Sequence, residues 1–445
     1  MMTRKPRVLL LAGILLALGL LAAPALAQGA NLEPSVEVDF PSAITFRLRA
    51  EAPVEITRAV LRYELERITC FQEVVERQGT LTPGKRVEAT WTWDMRKTGG
   101  LPAGATMKYS WTVTDAQGGK HQTDEKTFIF EDQRYSWRKI ESERVTLFWY
   151  RGAEAFARRL LQASTTTLER LKKEVGAELE RGVKLYIYES SEALRGARVF
   201  PQAWEGGVAF PDYGIMAIGI GPRELSWGEG AIAHELAHLV TYQMTYNCYS
   251  SIPVWLNEGL SMYAEGGLTP DYSSRLRQAR ERNTLISVKT LASPFPADPD
   301  GALLSYAQSF SLVDYLIKTY GREKMLAVLR AFKEGLGYDE ALMKVYGFDM
   351  AGLDQAWRLS VGASPAPTPP PPQATPEATP TPVASPTPQP PVPPSTPLPT
   401  SPPSVARGLV SCKSGYSPGA DLGSLLAGGL FLLLALIRRK NINGR

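Results

Sequence analysis

An all-β domain followed by an α+β domain is the architecture the sequence predicts, and two patterns predict it. Between residues 31 and 133 apolar residues alternate with polar ones along several short stretches, the period of a strand with one buried face. From Val145 onward short apolar runs alternate with amphipathic stretches, and from Gly228 to about Leu359 the pattern is helical. That is the order of a small mixed sheet followed by helices.

Taken in order, residues 1–27 combine a basic start (Arg4, Lys5, Arg7), an apolar run from Val8 to Ala23 and Ala25-Leu26-Ala27. This reads as a secretory signal with a small-residue cleavage site, so the mature chain is expected to start near Gln28. In residues 28–135 Ile44, Phe46 and Leu48 alternate with polar neighbours. So do Ala59 to Leu65, Val87 to Trp93 and Met107 to Val113. Gln117-Gly118-Gly119 reads as a hairpin turn. Six or so short strands in about 100 residues predict a β-sandwich of immunoglobulin or fibronectin type. Cys70 stands alone there, so the inter-sheet cysteine pair of such domains is missing. The tryptophans read as core, and His121, among polar residues, as a surface histidine.

The second domain, 140–361, opens with a strand at Val145–Tyr150 and a long amphipathic helix from about Ala153 to Val175. Strands follow at Val183–Tyr188, Gly207–Phe210 and Gly214–Ile218. Residues 362–406 read as a linker: nineteen of the chain's 35 prolines lie between Pro365 and Pro403, a composition that stays extended and buries no core. In the tail, 407–445, the apolar run Leu422–Ile437 precedes Arg438-Arg439-Lys440. The run is short for a membrane span and spans with local thinning, and the basic cluster predicts a cytoplasmic C-terminus and an external body. The tail also resembles bacterial sorting tails cut by a sortase-like enzyme. That implies a C-terminal processing enzyme as a partner, with Cys412 either a processing or lipid-attachment point or incidental.

The net charge of +4 belongs to the ends. Residues 1–27 carry +3 and 407–445 carry +5, while Glu377 is the one charge of the linker, which leaves residues 28–361 at −3. That body has no electrostatic footprint for nucleic acid. Three cysteines (Cys70, Cys248 and Cys412) make no disulfide framework. A bond between Cys70 and Cys248 across the two domains is the less favoured alternative to unpaired thiols.

The chemistry is concentrated in His234-Glu235-Leu236-Ala237-His238, which holds two of the chain's three histidines and spells the His-Glu-x-x-His zinc-protease signature. Its flanks read as helix. Residues four apart share a helix face, so His234 and His238 reach one ion together, and Glu235 sits beside it to hold a water. A catalytic zinc takes three protein ligands and one open position, so a third ligand is owed. Farther along comes Trp255-Leu256-Asn257-Glu258-Gly259, with nineteen residues between His238 and Glu258 and Glu258 expected to open a second helix.

The two stretches together resemble the gluzincin metallopeptidases, most closely the peptidase MA-like domain of bacterial secreted proteins, over roughly Ser142 to Val361. The resemblance implies an α+β gluzincin-type fold and one zinc per chain. It makes His234, His238 and Glu258 the ligands and Glu235 the catalytic base, and a peptide or protein the substrate. It also implies a sheet edge over the metal cleft, supplied by the segment Gly207–Ile218, that holds an extended peptide by strand addition. Glu265 is the reserve ligand. Family analogy calls for a tyrosine or histidine to stabilise the oxyanion; no histidine follows His238, and Tyr306 is the candidate. The relatives' acidic partner four residues after the third ligand is replaced here by Met262, which leaves open what orients the histidines. No Gly-x-Met-x-Asn stretch of the aminopeptidase kind precedes the zinc helix, which favours endopeptidase action.

The favoured reading is a secreted zinc metallopeptidase, anchored by its C-terminal helix at the outer face of the bacterial membrane or cell surface. Two alternatives remain: a zinc-binding but catalytically weak adhesion protein that works through its β-sandwich, and an envelope structural protein with a relic site. An intact Glu235 favours the first.

Overall fold

The computed structural model describes residues 29–202 and 206–365. The expected signal peptide, nearly all of the proline-rich linker, the apolar run Leu422–Ile437 and Cys412 lie outside the described residues. Among the described residues no helix is long and apolar enough to cross a membrane.

The N-terminal region holds β1 (Asn31–Asp39), β2 (Ala43–Leu65), β3 (Val74–Gln78), β4 (Gly84–Asp94), β5 (Ala105–Asp115), β6 (Lys120–Gln122) and β7 (Lys126–Phe130). They are not the two separate sheets of an immunoglobulin-type sandwich. All seven belong to one hydrogen-bonded sheet organised by β2. The runs Ile44–Leu48 and Ala59–Leu65, which read as two strands, are the two halves of that one strand of 23 residues. Its first half pairs with β1 and β4, its second with β3 and β5.

The ladder slips between Glu51 and Ile56, around Pro53, which has no N–H to donate. There the strand folds over. A straight strand would hold Phe46 and Tyr63 roughly 56 Å apart, at about 3.3 Å per residue, yet their ring centroids are 6.2 Å apart. The curled sheet closes on a core of Phe46, Leu61, Tyr109 and Trp111. Trp91 and Trp93 stack on Tyr63, so the tryptophans of the alternating runs do pack into this region. The Gln117–Gly119 turn joins β5 to β6, with Gly118 at φ 84°.

The second sheet contains β8 (Arg138–Glu141), β9 (Val145–Trp149), β10 (Val183–Tyr188), β11 (Gly207–Phe210) and β12 (Ile215–Gly219). Their order is β11-β12-β10-β9-β8. The centre is parallel, and β11 and β8 are antiparallel edges. The helices are α1 (Glu154–Arg170), α2 (Ser191–Arg195), α3 (Leu225–Thr245), α4 (Val254–Glu265), α5 (Pro270–Glu281), α6 (Val288–Leu291), α7 (Pro299–Lys333), α8 (Tyr338–Tyr346) and α9 (Met350–Ser360). After α1 the chain widens into a π-helical turn, Leu171–Val175. α7 is broken at Gly321, whose φ of 82° favours glycine.

Apolar side chains surround α3 on most sides: Ala231, Ile232, Leu236, Ala237, Leu239 and Val240 are all buried. A helix apolar around its circumference belongs in the middle of a core, and α3 packs against α1, α4, α7, β11 and β12.

The two regions are joined tightly. Gly104 lies so close under the Tyr186 ring that a methyl group there would overlap its hydroxyl. Lys184 Nζ donates to the Gly104 carbonyl at 2.7 Å. Cys70 and Cys248 are disulfide-bonded across a sequence separation of 178. The expectation of unpaired thiols is thus corrected: the loop after β2 and the turn after α3 converge in space, and nothing local in the sequence announces it.

Candidate metal centre

α3 and α4 bring His234, His238 and Glu258 together, with one ligand atom from each lying within 4.8 Å of the other two. His234 and His238 stand one turn apart on α3, their ring centroids separated by 4.9 Å. Glu258 reaches them from α4: its Oε2 is 3.6 Å from His234 Nε2 and 3.7 Å from His238 Nε2. Glu258 does not open its helix as expected. α4 begins at Val254, and Glu258 lies in its second turn, buried, so a favourable position in the helix-end field does not explain it.

The placement depends on Gly259, against which α7 packs so closely that a methyl group would overlap the Ser309 carbonyl oxygen. The pair Glu258-Gly259 thus combines a donor facing α3 with a flat surface facing α7.

All three residues are at most 5 % exposed. Both carboxylate oxygens of Glu258 and Nε2 of His238 have no hydrogen-bond partner among the described residues. Buried polar atoms left so are costly, and two imidazoles with a carboxylate form a donor set that suits zinc. The residues present therefore fit one zinc ion.

The outer nitrogens of the histidines are engaged. Glu265 Oε1 lies 2.6 Å from His234 Nδ1, and Ser261 Oγ lies 3.1 Å from His238 Nδ1. These contacts fix which nitrogen faces the centre. They also answer what orients the histidines in place of the acidic residue absent at Met262. Glu265, expected as the reserve ligand, instead sits on the far side of His234. The signal was available: positions 258, 261 and 265 follow the i, i+3, i+7 spacing of one helix face.

Burial alone would lower the pKa of His234. The carboxylates of Glu258 and Glu265, with the added charge of Glu235, outweigh it and push the imidazole up to about 10.

Glu235 is fully buried and lies under the edge strand β11, where a Cβ on Gly207 would come within 3.1 Å of Glu235 Oε1. Tyr306, on the first part of α7, is 1 % exposed. Its ring centroid is 6.4 Å from that of His234, and Phe295 packs edge-on behind it at 5.1 Å. Its hydroxyl has no hydrogen-bond partner among the described residues. Burial, then the charge of Glu258, holds that phenol well above its ordinary pKa, so it is a protonated donor at neutral pH. Tyr272, which the sequence reading passed over, is also buried with an unpartnered hydroxyl. Its pKa is raised by burial and then by the charge of Glu265.

Residues 163–363 match the family model of the Peptidase MA superfamily. No curated protein matches the chain. Among solved structures, the chain is similar to an alanine variant of a two-domain M1 zinc metallopeptidase bound to L-arginine, with 13 % identity, 76 % of this chain and 96 % of that chain covered, and a TM-score of 0.30. It is similar to aminopeptidase A of Legionella pneumophila in complex with aspartic acid, with 12 % identity, 74 % and 48 % covered, and a TM-score of 0.31. An aminopeptidase N family protein from Idiomarina loihiensis aligns at 10 % identity, with 76 % of each chain covered and a TM-score of 0.31. Likenesses this distant leave the chemical argument to the family model and the geometry.

Proposed function

Residues 163–363 belong to the Peptidase MA superfamily, and from that membership we propose that the chain is a zinc-dependent metallopeptidase that hydrolyses peptide bonds with Glu235 as general base. The observation that carries the reading is the convergence of His234, His238 and Glu258 within 4.8 Å beside a buried glutamate that sits under a strand edge. Those three residues hold the ion. When bound, zinc supplies Lewis acidity and lowers the pKa of water.

The protein groups then have distinct tasks. Glu235 takes the proton of the attacking water and returns it to the leaving amine. The Tyr306 hydroxyl donates to the oxygen that gains charge at the scissile carbonyl. Glu265 and Ser261 hold the imidazoles in position. The substrate lies extended beside β11, the edge strand that covers Glu235.

The protein works outside the cell, anchored at the outer face of the bacterial membrane or cell surface through the apolar run Leu422–Ile437. The signal-like start, the proline-rich segment and the basic end of the sequence support this, and a disulfide suits an oxidising compartment.

The test is metal content and peptide hydrolysis of the full chain. About one zinc per chain is expected, lost in His238→Ala and in Glu258→Ala. In Glu235→Gln zinc should be retained and hydrolysis of a peptide library abolished. A folded wild-type chain that takes up no zinc would refute the reading.

A further inference from the structure

The Cys70–Cys248 bond has the features of a reactive disulfide, and they differ between its two sulfurs. Cys248 is exposed and Cys70 half-buried. Tyr246 Oη lies 3.0 Å from Cys70 Sγ; a disulfide sulfur carries no hydrogen, so the phenol is the donor. Asn247 fixes the turn that presents Cys248, its side-chain oxygen accepting from the N–H groups of Tyr249 and Ser250 at 2.7 and 2.9 Å. Of the seven large hydrophobic side chains exposed among the described residues, two directly follow the bonded cysteines: Phe71, 79 % exposed, and Tyr249, 87 % exposed. An exposed apolar side chain thus adjoins each bonded cysteine in the chain, Phe71 beside Cys70 and Tyr249 beside Cys248.

We propose that this bond is a thiol–disulfide exchange site that a dithiol oxidoreductase engages through Phe71 and Tyr249, attacking at Cys248 and expelling Cys70. The partner's thiolate forms a bond to Cys248 Sγ, and the electron pair of the broken S–S bond goes to Cys70 Sγ. The Tyr246 hydroxyl stabilises that leaving thiolate before it takes a proton from solvent. The partner's second thiolate then attacks the mixed disulfide and releases Cys248. In sum the protein gains two electrons and two protons, and the partner's dithiol becomes a disulfide.

The loop bearing Cys70 stays docked meanwhile. The N–H of Ile68 donates to the Asp212 carbonyl at 2.7 Å, and Arg67 pairs with Asp212 at 3.4 Å. The two thiols therefore remain neighbours and the exchange is reversible. What it makes and breaks is the covalent tie between the curled sheet and the end of the helix that carries His234, Glu235 and His238.

The experiment uses the full chain without denaturant. Reduced glutathione, a monothiol, is added, the reaction is quenched with an alkylating agent, and peptides are mapped by mass. The glutathione adduct is expected on Cys248 and the alkyl group on Cys70, with Tyr246→Phe slowing the reaction several-fold. Reduction by thioredoxin should slow several-fold in a Phe71→Ser/Tyr249→Ser variant, while reduction by dithiothreitol should not. An adduct on Cys70, exchange only after unfolding, or equal thioredoxin rates in the variant and wild type would each overturn the proposal.

Discussion

Glu265 Oε1 lies 2.6 Å from His234 Nδ1, and the same imidazole turns its Nε2 toward Glu258, 3.6 Å away. One helix, α4, thus holds His234 from both sides. Glu265→Ala should weaken zinc affinity about 10–100-fold and leave the helical circular dichroism intact. Competition with a chelator measures this, and an unchanged affinity would remove Glu265 from the metal centre.

Gly207 faces Glu235 with space for little more than hydrogen. A Cβ there would stand 3.1 Å from Glu235 Oε1, tighter than ordinary contact, so either the strand or the carboxylate must shift. Gly207→Ala should keep its zinc and lose about tenfold or more in kcat, since small misplacements of a reacting group are costly. Full activity in this variant would mean that β11 does not constrain Glu235.

Gly259 sets the distance between α4 and α7. Gly259→Ala should destabilise the fold by about 1–3 kcal/mol, as overpacking does, and also reduce zinc uptake, because α4 carries Glu258. Thermal melts of the metal-free and metal-loaded variant separate the two effects. A large loss of zinc with no loss of metal-free stability would contradict the packing account.

The pH dependence of the metal-free protein follows from His234. Its pKa is pushed up to about 10 in the fold, against about 6.5 in an unfolded chain. The stabilisation this brings is fully present below pH ~6.5 and is lost as pH rises through ~10. The metal-free melting temperature should therefore fall across that window more than that of the zinc-loaded protein, in which the ligand imidazole is already neutral. Equal slopes for the two forms would count against the raised value.

Removing the cross-link should cost stability through the unfolded chain. Closing a loop across a separation of 178 residues contributes up to ~5 kcal/mol on chain-entropy grounds. A Cys70→Ala/Cys248→Ala variant should show that order of loss in denaturant midpoint. A loss below ~1 kcal/mol would contradict the loop-closure account.

What the sequence made legible was what depends on local spacing. His234 and His238 share a face because four residues make about one turn, and Val183–Tyr188 and Gly207–Phe210 are strands at the predicted bounds. Glu258 was reachable only by resemblance, since nothing local says that α4 crosses α3 there. Glu265 was underrated although seven residues return almost to the same helix face. The curl of β2 was hidden because Ile44–Leu48 and Ala59–Leu65 read as two strands, whereas the chain stays extended through Pro53 and bends. The Cys70–Cys248 pairing was illegible for a plainer reason: it is a property of how two separately folded regions dock.

The segment between the two regions is pinned in place. Asp132 is fully buried and accepts from Arg134 at 2.7 Å and from Tyr188 at 3.3 Å. Its own carbonyl is held by the Trp137 indole at 2.9 Å, and Arg134 reaches over to the Gly196 carbonyl at 2.9 Å. A maturation protease needs a stretch of chain that can be drawn out into its cleft, and this connector is held at several points. A cut made there would still leave the halves covalently joined through Cys70 and Cys248 until the disulfide was reduced. The curled sheet is therefore poorly suited to the role of a detachable pro-segment: zymogen-style activation by excision would have to open the disulfide first, and a nicked chain would remain a single particle under non-reducing conditions.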